Sequence, residues 1–349
     1  YRLEAGANDG FRLYLDGELL LDRWEDAERL RADSVEVELE GGRAYDIRLE
    51  YYEHERDAAV RLAWDLPGAK PPFEEAMEAA RSADAIVFVG GLTGDVEGEE
   101  MKVDFPGFAG GDRTDIRLPA TQQRLLEALH ATGKPVVLVL TTGSALGIDW
   151  AKDHLPAILV AWYPGQRGGN AVADVLFGDH NPAGRLPVTF YKADEPLPAF
   201  DDYAMEGRTY RYFRGEPLYP FGHGLSYTTF EYGDVRLDRA TVDAGGRVTA
   251  TVSVRNGGTR AGDEVVQLYL RALEPKRPRA IRELRGFERI HLAPGESREV
   301  TFTFTPEKDL RHYDEQAGAY AVDPGRYLVE VGASSADIRA SAEVEVRAP

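Results

Sequence analysis

No cysteine occurs in the 349 residues. That excludes a disulfide framework, a thiolate metal site and a Cys nucleophile. It does not fix the compartment, because periplasmic proteins can lack disulfides too. Long apolar runs are also missing. A membrane helix needs about 20 consecutive apolar residues, and stretches such as Pro135 to Leu140 have only core-strand length. Positive charge is scarce: 41 Lys and Arg stand against 60 Asp and Glu, a formal net charge of −19. Nucleic-acid binding rests on Lys and Arg contacts to phosphate, so nucleic acid is excluded as a partner. The acidic balance suits a neutral substrate and high solubility. The seven His are scattered, without the spacing that sets two ligands on one helix face, so neither a metal nor another cofactor is expected. There is no initiator Met and no signal peptide. The chain opens Tyr1-Arg2-Leu3-Glu4-Ala5, which reads as the inside of a strand and suggests a fragment or one half of a cut polypeptide.

What is present is an ordinary globular composition, 43% hydrophobic and 29% charged, arranged in changing periods. Residues 1–66 read as a partial β-sandwich. Phe11 to Leu15, then Asp16-Gly17, then Glu18 to Leu21 is a hairpin signal, because Asp-Gly accepts the positive φ of a tight turn. Val35 to Leu39, Tyr45 to Leu49 and Val60 to Trp64 alternate like half-buried strands. With so few strands, the apolar face of this sandwich is expected to be incomplete.

Prolines at 67, 71 and 72 mark a linker. Residues 67–190 then read as an α/β sandwich with a mostly parallel sheet. Helices are expected over Phe73 to Arg81, Thr121 to Ala131 and Gly168 to Phe177, and strands over Ala85 to Val89, Pro135 to Leu140 and Ala157 to Ala161. A polar, Gly-rich stretch runs from Gly90 to Arg117. Residues 191–233 form an aromatic connector. Residues 234–349 return to period 2 with turn signals at Asn256-Gly257-Gly258 and Pro294-Gly295, a fibronectin type III-like sandwich. Ser144 lacks the full nucleophile-elbow pattern. Trp162, Tyr163 and Gln166 read as strand-to-helix packing, with a role at an interface to another domain open, and the aromatics of the connector as domain glue, with stacking on a ligand's rings open.

Several stretches carry a resemblance. Ala161-Trp162-Tyr163-Pro164-Gly165-Gln166 with Gly168-Gly169-Asn170-Ala171, Asn181-Pro182-Ala183-Gly184-Arg185-Leu186-Pro187, Tyr219-Pro220-Phe221-Gly222-His223-Gly224-Leu225-Ser226-Tyr227, and Gly262-Asp263-Glu264-Val265-Val266-Gln267 follow one another in order. Together they resemble the C-terminal part of a family 3 glycoside hydrolase, from about Pro72 onward. Asn8-Asp9-Gly10-Phe11 and Leu15-Asp16-Gly17 are similar to the second half of the protective-antigen-type sandwich inserted in many such enzymes.

The resemblance implies an exo-acting retaining β-glucosidase or β-xylosidase that releases terminal sugars from β-linked glycosides. Such chemistry uses two carboxyls about 5 to 5.5 Å apart. The family's nucleophile is an Asp in an N-terminal (β/α)8 barrel, which this chain lacks, so the chain alone is expected to be inactive and to need that barrel as its partner. The acid/base Glu comes from the α/β domain. Placed on the pattern E-x-E-G-x-D-R, Glu97 takes the first Glu and Glu99 the second, the acid/base. Glu100 stands where Gly is common, and ten extra residues precede Gly111-Asp112-Arg113, so Glu97 and Glu100 stay open as alternatives. Three carboxylates so close repel one another and raise at least one pKa. Asp112 and Arg113 are expected to pair and anchor this loop, or to touch sugar. The expected partners are a β-linked oligosaccharide, the barrel and, as an open option, a second copy in a homodimer. Neither nucleic acid nor membrane is among them. The family analogy favours a periplasmic or secreted location, with the cytoplasm open. The rival reading is a non-catalytic carbohydrate-binding or scaffold protein that has lost the barrel.

Overall fold

The structure is a computed structural model that describes residues 1–349 except 28–29, 55–57, 67, 69, 99–102, 104, 197, 200 and 349. The chain divides into two compact units, Tyr1–Ser82 and Ala83–Pro349.

In the first unit, β1 (Arg2–Ala7), β2 (Phe11–Leu15), β3 (Glu18–Arg23), β4 (Arg31–Glu36), β5 (Ile47–Tyr51) and β6 (Val60–Asp65) precede helix α1 (Pro72–Ser82). They form two antiparallel sheets, ordered β4-β1-β6 and β3-β2-β5. Leu3, Ala5 and Ala7 of β1 meet Phe11 and Leu13 of β2 in a small core, with Val35, Leu49 and Tyr51 packed around it. The β2–β3 turn has φ of 48° at Asp16 and 84° at Gly17, as the Asp-Gly signal requires. The ladder of β4 runs from Arg31 to Glu36, upstream of the expected Val35 to Leu39. It is set by pairing along the whole of β1, and Val37 extends it by one residue, its N–H bonding Tyr1 O at 2.8 Å and its O accepting from the Tyr1 amino group at 2.8 Å. Directly paired residues share a sheet face. Val60, Leu62 and Trp64 therefore share the inner face with Ala7, Ala5 and Leu3, yet they are 50%, 37% and 60% exposed. The apolar row of this edge strand is uncovered.

The second unit begins with an α/β layer of β7 (Ile86–Gly91), β8 (Phe108–Ala109), β9 (Asp112–Arg113), α2 (Ala120–His130), β10 (Val136–Thr141), α3 (Asp149–His154), β11 (Ala157–Val160) and α4 (Gly168–Leu176). β7, β10 and β11 make a parallel sheet with β10 in the centre. A strand buried on both faces reads as a continuous apolar run, and Val136, Leu138, Val139 and Leu140 are all buried. The ends of β7 and β10 are pinned. The Gln122 side chain accepts from Gly91 N–H at 2.7 Å and donates to Gly91 O at 2.8 Å, and Leu92 N–H bonds Thr141 O at 2.7 Å.

After the short helix α5 (Thr209–Tyr212) come β12 (Phe230–Tyr232), β13 (Arg236–Leu237), β14 (Thr241–Val242), β15 (Val248–Asn256), β16 (Gly262–Ala272), β17 (Glu283–Leu292), β18 (Ser297–Phe304), α6 (Pro306–Asp309), β19 (His312–Asp314), β20 (Ala319–Ala321), β21 (Gly325–Gly332) and β22 (Ile338–Val346). One sheet centres on β15, flanked by β12, β13 and β18. The other runs β14-β22-β21-β16-β17. Val and Leu from alternate positions of both sheets fill the sandwich core. The aromatic connector packs onto this sandwich: Tyr210 stacks on Phe221 at 4.3 Å and meets the edge of buried Tyr269 at 6.0 Å. Arg185 reaches Glu264 of β16 at 3.0 Å, with side chains only 8% and 4% exposed.

Candidate active site

The loops that leave the C-terminal ends of the three parallel strands converge on one side chain, Glu97. Ligand sites of open α/β sheets collect at this edge. After β7, Val96 N–H and Glu97 N–H both bond Thr93 O at 3.1 Å. This single tight turn folds the chain back and presents Glu97 to its neighbours. After β10, Gly143 N–H donates to Glu97 Oε2 at 2.6 Å and Ser144 Oγ–H donates to Glu97 Oε1. After β11, Tyr163 O–H donates to Glu97 Oε2. Trp162 carries φ of 54°, a left-handed backbone uncommon in a bulky residue, and this kink turns the chain where Tyr163 begins.

Arg113 completes the cluster. Its Nη1 lies 3.0 Å from Ser144 Oγ and 3.5 Å from Glu97 Oε1, while Nε and Nη2 donate to Asp115 O at 3.0 and 2.7 Å. Its guanidinium also lies 5.0 Å from the centre of the Phe108 ring. Gly110 and Gly111, with φ of 61° and 97°, make the turn of the β8–β9 hairpin that carries Arg113. The Glu97 and Arg113 side chains are 9% and 14% exposed.

Burial pulls the Glu97 carboxyl upward. Ser144, Tyr163, the Gly143 amide and Arg113 together outweigh it and hold the carboxyl below its ordinary value. Burial, reinforced by Glu97, pushes the Tyr163 phenol up. Burial lowers Arg113 against the pull of Glu97. At neutral pH the cluster is therefore a carboxylate facing a guanidinium, two hydroxyls and an amide.

The structure places the expected site residues unevenly. Glu97 is at the centre. Glu99 and Glu100 lie outside the described residues. Asp112 and Arg113 do not pair with each other: Asp112 is exposed and its side chain makes no ion pair among the described residues, whereas Arg113 turns to Glu97. Adjacent strand residues point to opposite faces, so β9 cannot aim both inward. Ser144 and Tyr163 belong to the cluster although neither the elbow pattern nor the packing reading marked them. Among the described residues, no group of three or more His, Asp or Glu could hold a metal ion.

The sequence profile of the Glycosyl hydrolase family 3 C-terminal domain matches residues 16–227, and that of the Fibronectin type III-like domain matches residues 264–335. The chain belongs to glycosyl hydrolase family 3. It is 45% identical to a Xylan 1,4-beta-xylosidase of Xylanibacter ruminicola over 266 residues, 76% of this chain and 30% of that protein. It is 40% identical to the Periplasmic beta-glucosidase of Salmonella typhimurium, across 81% of this chain and 37% of that one. Among solved structures, it is similar to the β-glucosidase of Kluyveromyces marxianus in complex with glucose, with a TM-score of 0.79 and 29% identity, covering 99% of this chain and 43% of that chain. The chain thus spans well under half the length of these relatives. The mixed architecture matches the family's C-terminal portion, an α/β layer with a parallel sheet followed by a fibronectin type III-like domain. No helix among the described residues is long and apolar enough to cross a membrane.

Proposed function

We propose that this chain is the C-terminal portion of an exo-acting retaining β-glycosidase, a β-glucosidase or β-xylosidase, and that Glu99 is its general acid/base. The state of Glu97 carries this reading. A general acid must hold a proton near the working pH, and Glu97 is held as a carboxylate by Gly143, Ser144, Tyr163 and Arg113. It is fully engaged in fixing the loop, so the proton donor falls to the next carboxyls along it. The motif puts the role on Glu99, with Glu100 behind it. Relatives named β-xylosidase and β-glucosidase support the reaction class.

In this reading the nucleophile Asp comes from a (β/α)8 barrel. It attacks the anomeric carbon while Glu99 gives its proton to the leaving oxygen. Glu99 then takes a proton from the water that releases the sugar from Asp. Residues 1–66 are the second half of a protective-antigen-type insert, 67–190 bear the acid/base loop, 191–233 are the connector and 234–349 the fibronectin-like module. The periplasmic relative favours a periplasmic or secreted location. A homodimer is compatible with the reading and is checked by light scattering.

Steady-state kinetics test the proposal. The chain alone should not hydrolyse aryl β-glycosides, and the enzyme complete with its barrel should. In the complete enzyme, Glu99→Gln should lower turnover by about 10² to 10⁴-fold with little change in substrate binding. Full activity in Glu99→Gln would remove Glu99 from the role.

A further inference from the structure

We propose that Glu97 is a positioning residue: its carboxylate is the latch that fastens both ends of the acid/base loop to the C-terminal edge of the parallel sheet, and turnover requires the latch closed. The inference rests on the proposed function for what the loop carries, and on the geometry for how it is held.

The segment that carries the acid/base motif lies between Glu97, in the turn after β7, and Arg113 of β9. Both ends meet on Ser144, whose hydroxyl donates to Glu97 Oε1 and accepts from Arg113 Nη1 at 3.0 Å. The Glu97–Arg113 ion pair closes the base of the loop directly. Gly143 N–H and Tyr163 O–H then hold the second carboxylate oxygen from the loops of the other two strands. A Cβ on Gly143 would lie 3.0 Å from the Tyr163 ring and 3.1 Å from Glu97 Oε2, so a larger residue there would press on the latch and shift its two side chains by a few tenths of an ångström.

The consequence for Glu99 is metric. Glu99 follows Glu97 by two residues in the sequence, and two residues of chain reach at most about 7.6 Å, so what fixes Glu97 limits how far the proton donor can stray. A proton donor misplaced by about 1 Å can lose about 10²-fold in rate. Releasing Glu97 frees a segment of fifteen intervening residues, 98–112, from its closed base. Among the described residues, the titratable groups facing Glu97 are Arg113 from β9 and Tyr163 from the loop after β11, with Asp115 behind Arg113. Acid leaves Arg113 a guanidinium and the raised Tyr163 phenol neutral, so among the described residues Glu97 is the group of the cluster whose protonation opens the latch. Glu97 sits below its ordinary value. The latch is therefore closed at neutral pH and opens only as pH falls through that lowered pKa.

Two measurements test this. In the complete enzyme, Glu97→Gln should lower kcat for a poor leaving group about 10 to 100-fold, with KM within threefold and no restoration by azide. Tyr163→Phe and Ser144→Ala should show the same pattern at about a tenth of the size. In this chain itself, Glu97→Gln should speed hydrogen exchange of the Gly143 amide at least tenfold and leave the amides of β15 and β16 unchanged. Wild-type kcat in Glu97→Gln, or wild-type protection at Gly143, overturns the latch and leaves the assignment of Glu99 standing. Azide restoring turnover to Glu97→Gln makes Glu97 the acid/base and overturns both readings.

Discussion

Gly91→Ala is the substitution whose cost the fold specifies most fully. Gly91 ends β7 with φ of 122°, a backbone that L side chains rarely adopt. An added Cβ would stand 2.0 Å from Thr141 O on the neighbouring strand. That atom is backbone and cannot swing aside. The conformation costs an Ala about 1–3 kcal/mol. Relieving the overlap parts β7 from β10 at the site edge, which breaks the Leu92–Thr141 bond and loosens the two bonds from Gln122, each about 1 kcal/mol. The expected loss is about 4 kcal/mol, or about 10³-fold in an opening equilibrium at 1.4 kcal/mol per factor of ten. Native-state hydrogen exchange of the Leu138 and Leu140 amides reads this directly. Protection within threefold of wild type would refute the reasoning, because it would mean that the strand end tolerates a side chain the geometry excludes.

Other consequences concern the joint between the α/β layer and the sandwich. Removing one member of the buried Arg185–Glu264 pair should cost about 3–5 kcal/mol, because it leaves a charge buried without its partner. Burial, against the pull of Arg185, raises the Glu264 carboxyl above its ordinary value. Its protonation linkage therefore favours the fold below the unfolded carboxyl pKa, and this contribution is lost as pH rises through the folded one. A Met and Leu double replacement should be milder than either single change in urea unfolding, and an additive result would exclude the coupling. Asn256→Ala should cost about 2–4 kcal/mol by the same assay, since fully buried Asn256 donates to Arg260 O and Leu292 O and accepts from Thr228 and Gly258 N–H. Asp112→Asn, at an exposed residue whose side chain makes no ion pair among the described residues, should change stability by less than about 0.5 kcal/mol.

Local chemistry was legible in the sequence. Asp16-Gly17 announced its hairpin because positive φ is a property of those two residues, and the apolar run at Pro135 announced β10 because a strand covered on both faces must be apolar along its length. Helix α2 falls one residue from the expected span, over Ala120–His130. The hairpin at Phe108–Ala109 and Asp112–Arg113 was not seen, since two-residue strands carry no period. Helix α3 was missed for a similar reason: six residues show too little of a 3.6 repeat. The partners of Glu97 were out of reach in another way. Ser144 and Tyr163 stand 47 and 66 residues from it, and only the parallel sheet brings their loops together. One signal was available for Tyr163, its place directly after an apolar strand of a parallel sheet, where sites gather. The motif led to Glu97 and to Glu99 and Arg113, but not to which Glu is locked. That depends on donors from other strands.

The most direct test of the central claim is azide rescue in three parallel variants of the complete enzyme, Glu97→Ala, Glu99→Ala and Glu100→Ala, on an aryl β-glycoside with a good leaving group. The account predicts that only Glu99→Ala regains turnover with azide and that its product, identified by mass spectrometry, is the β-glycosyl azide. Formation of that product by the Glu97 or Glu100 variant and not by Glu99→Ala would contradict it.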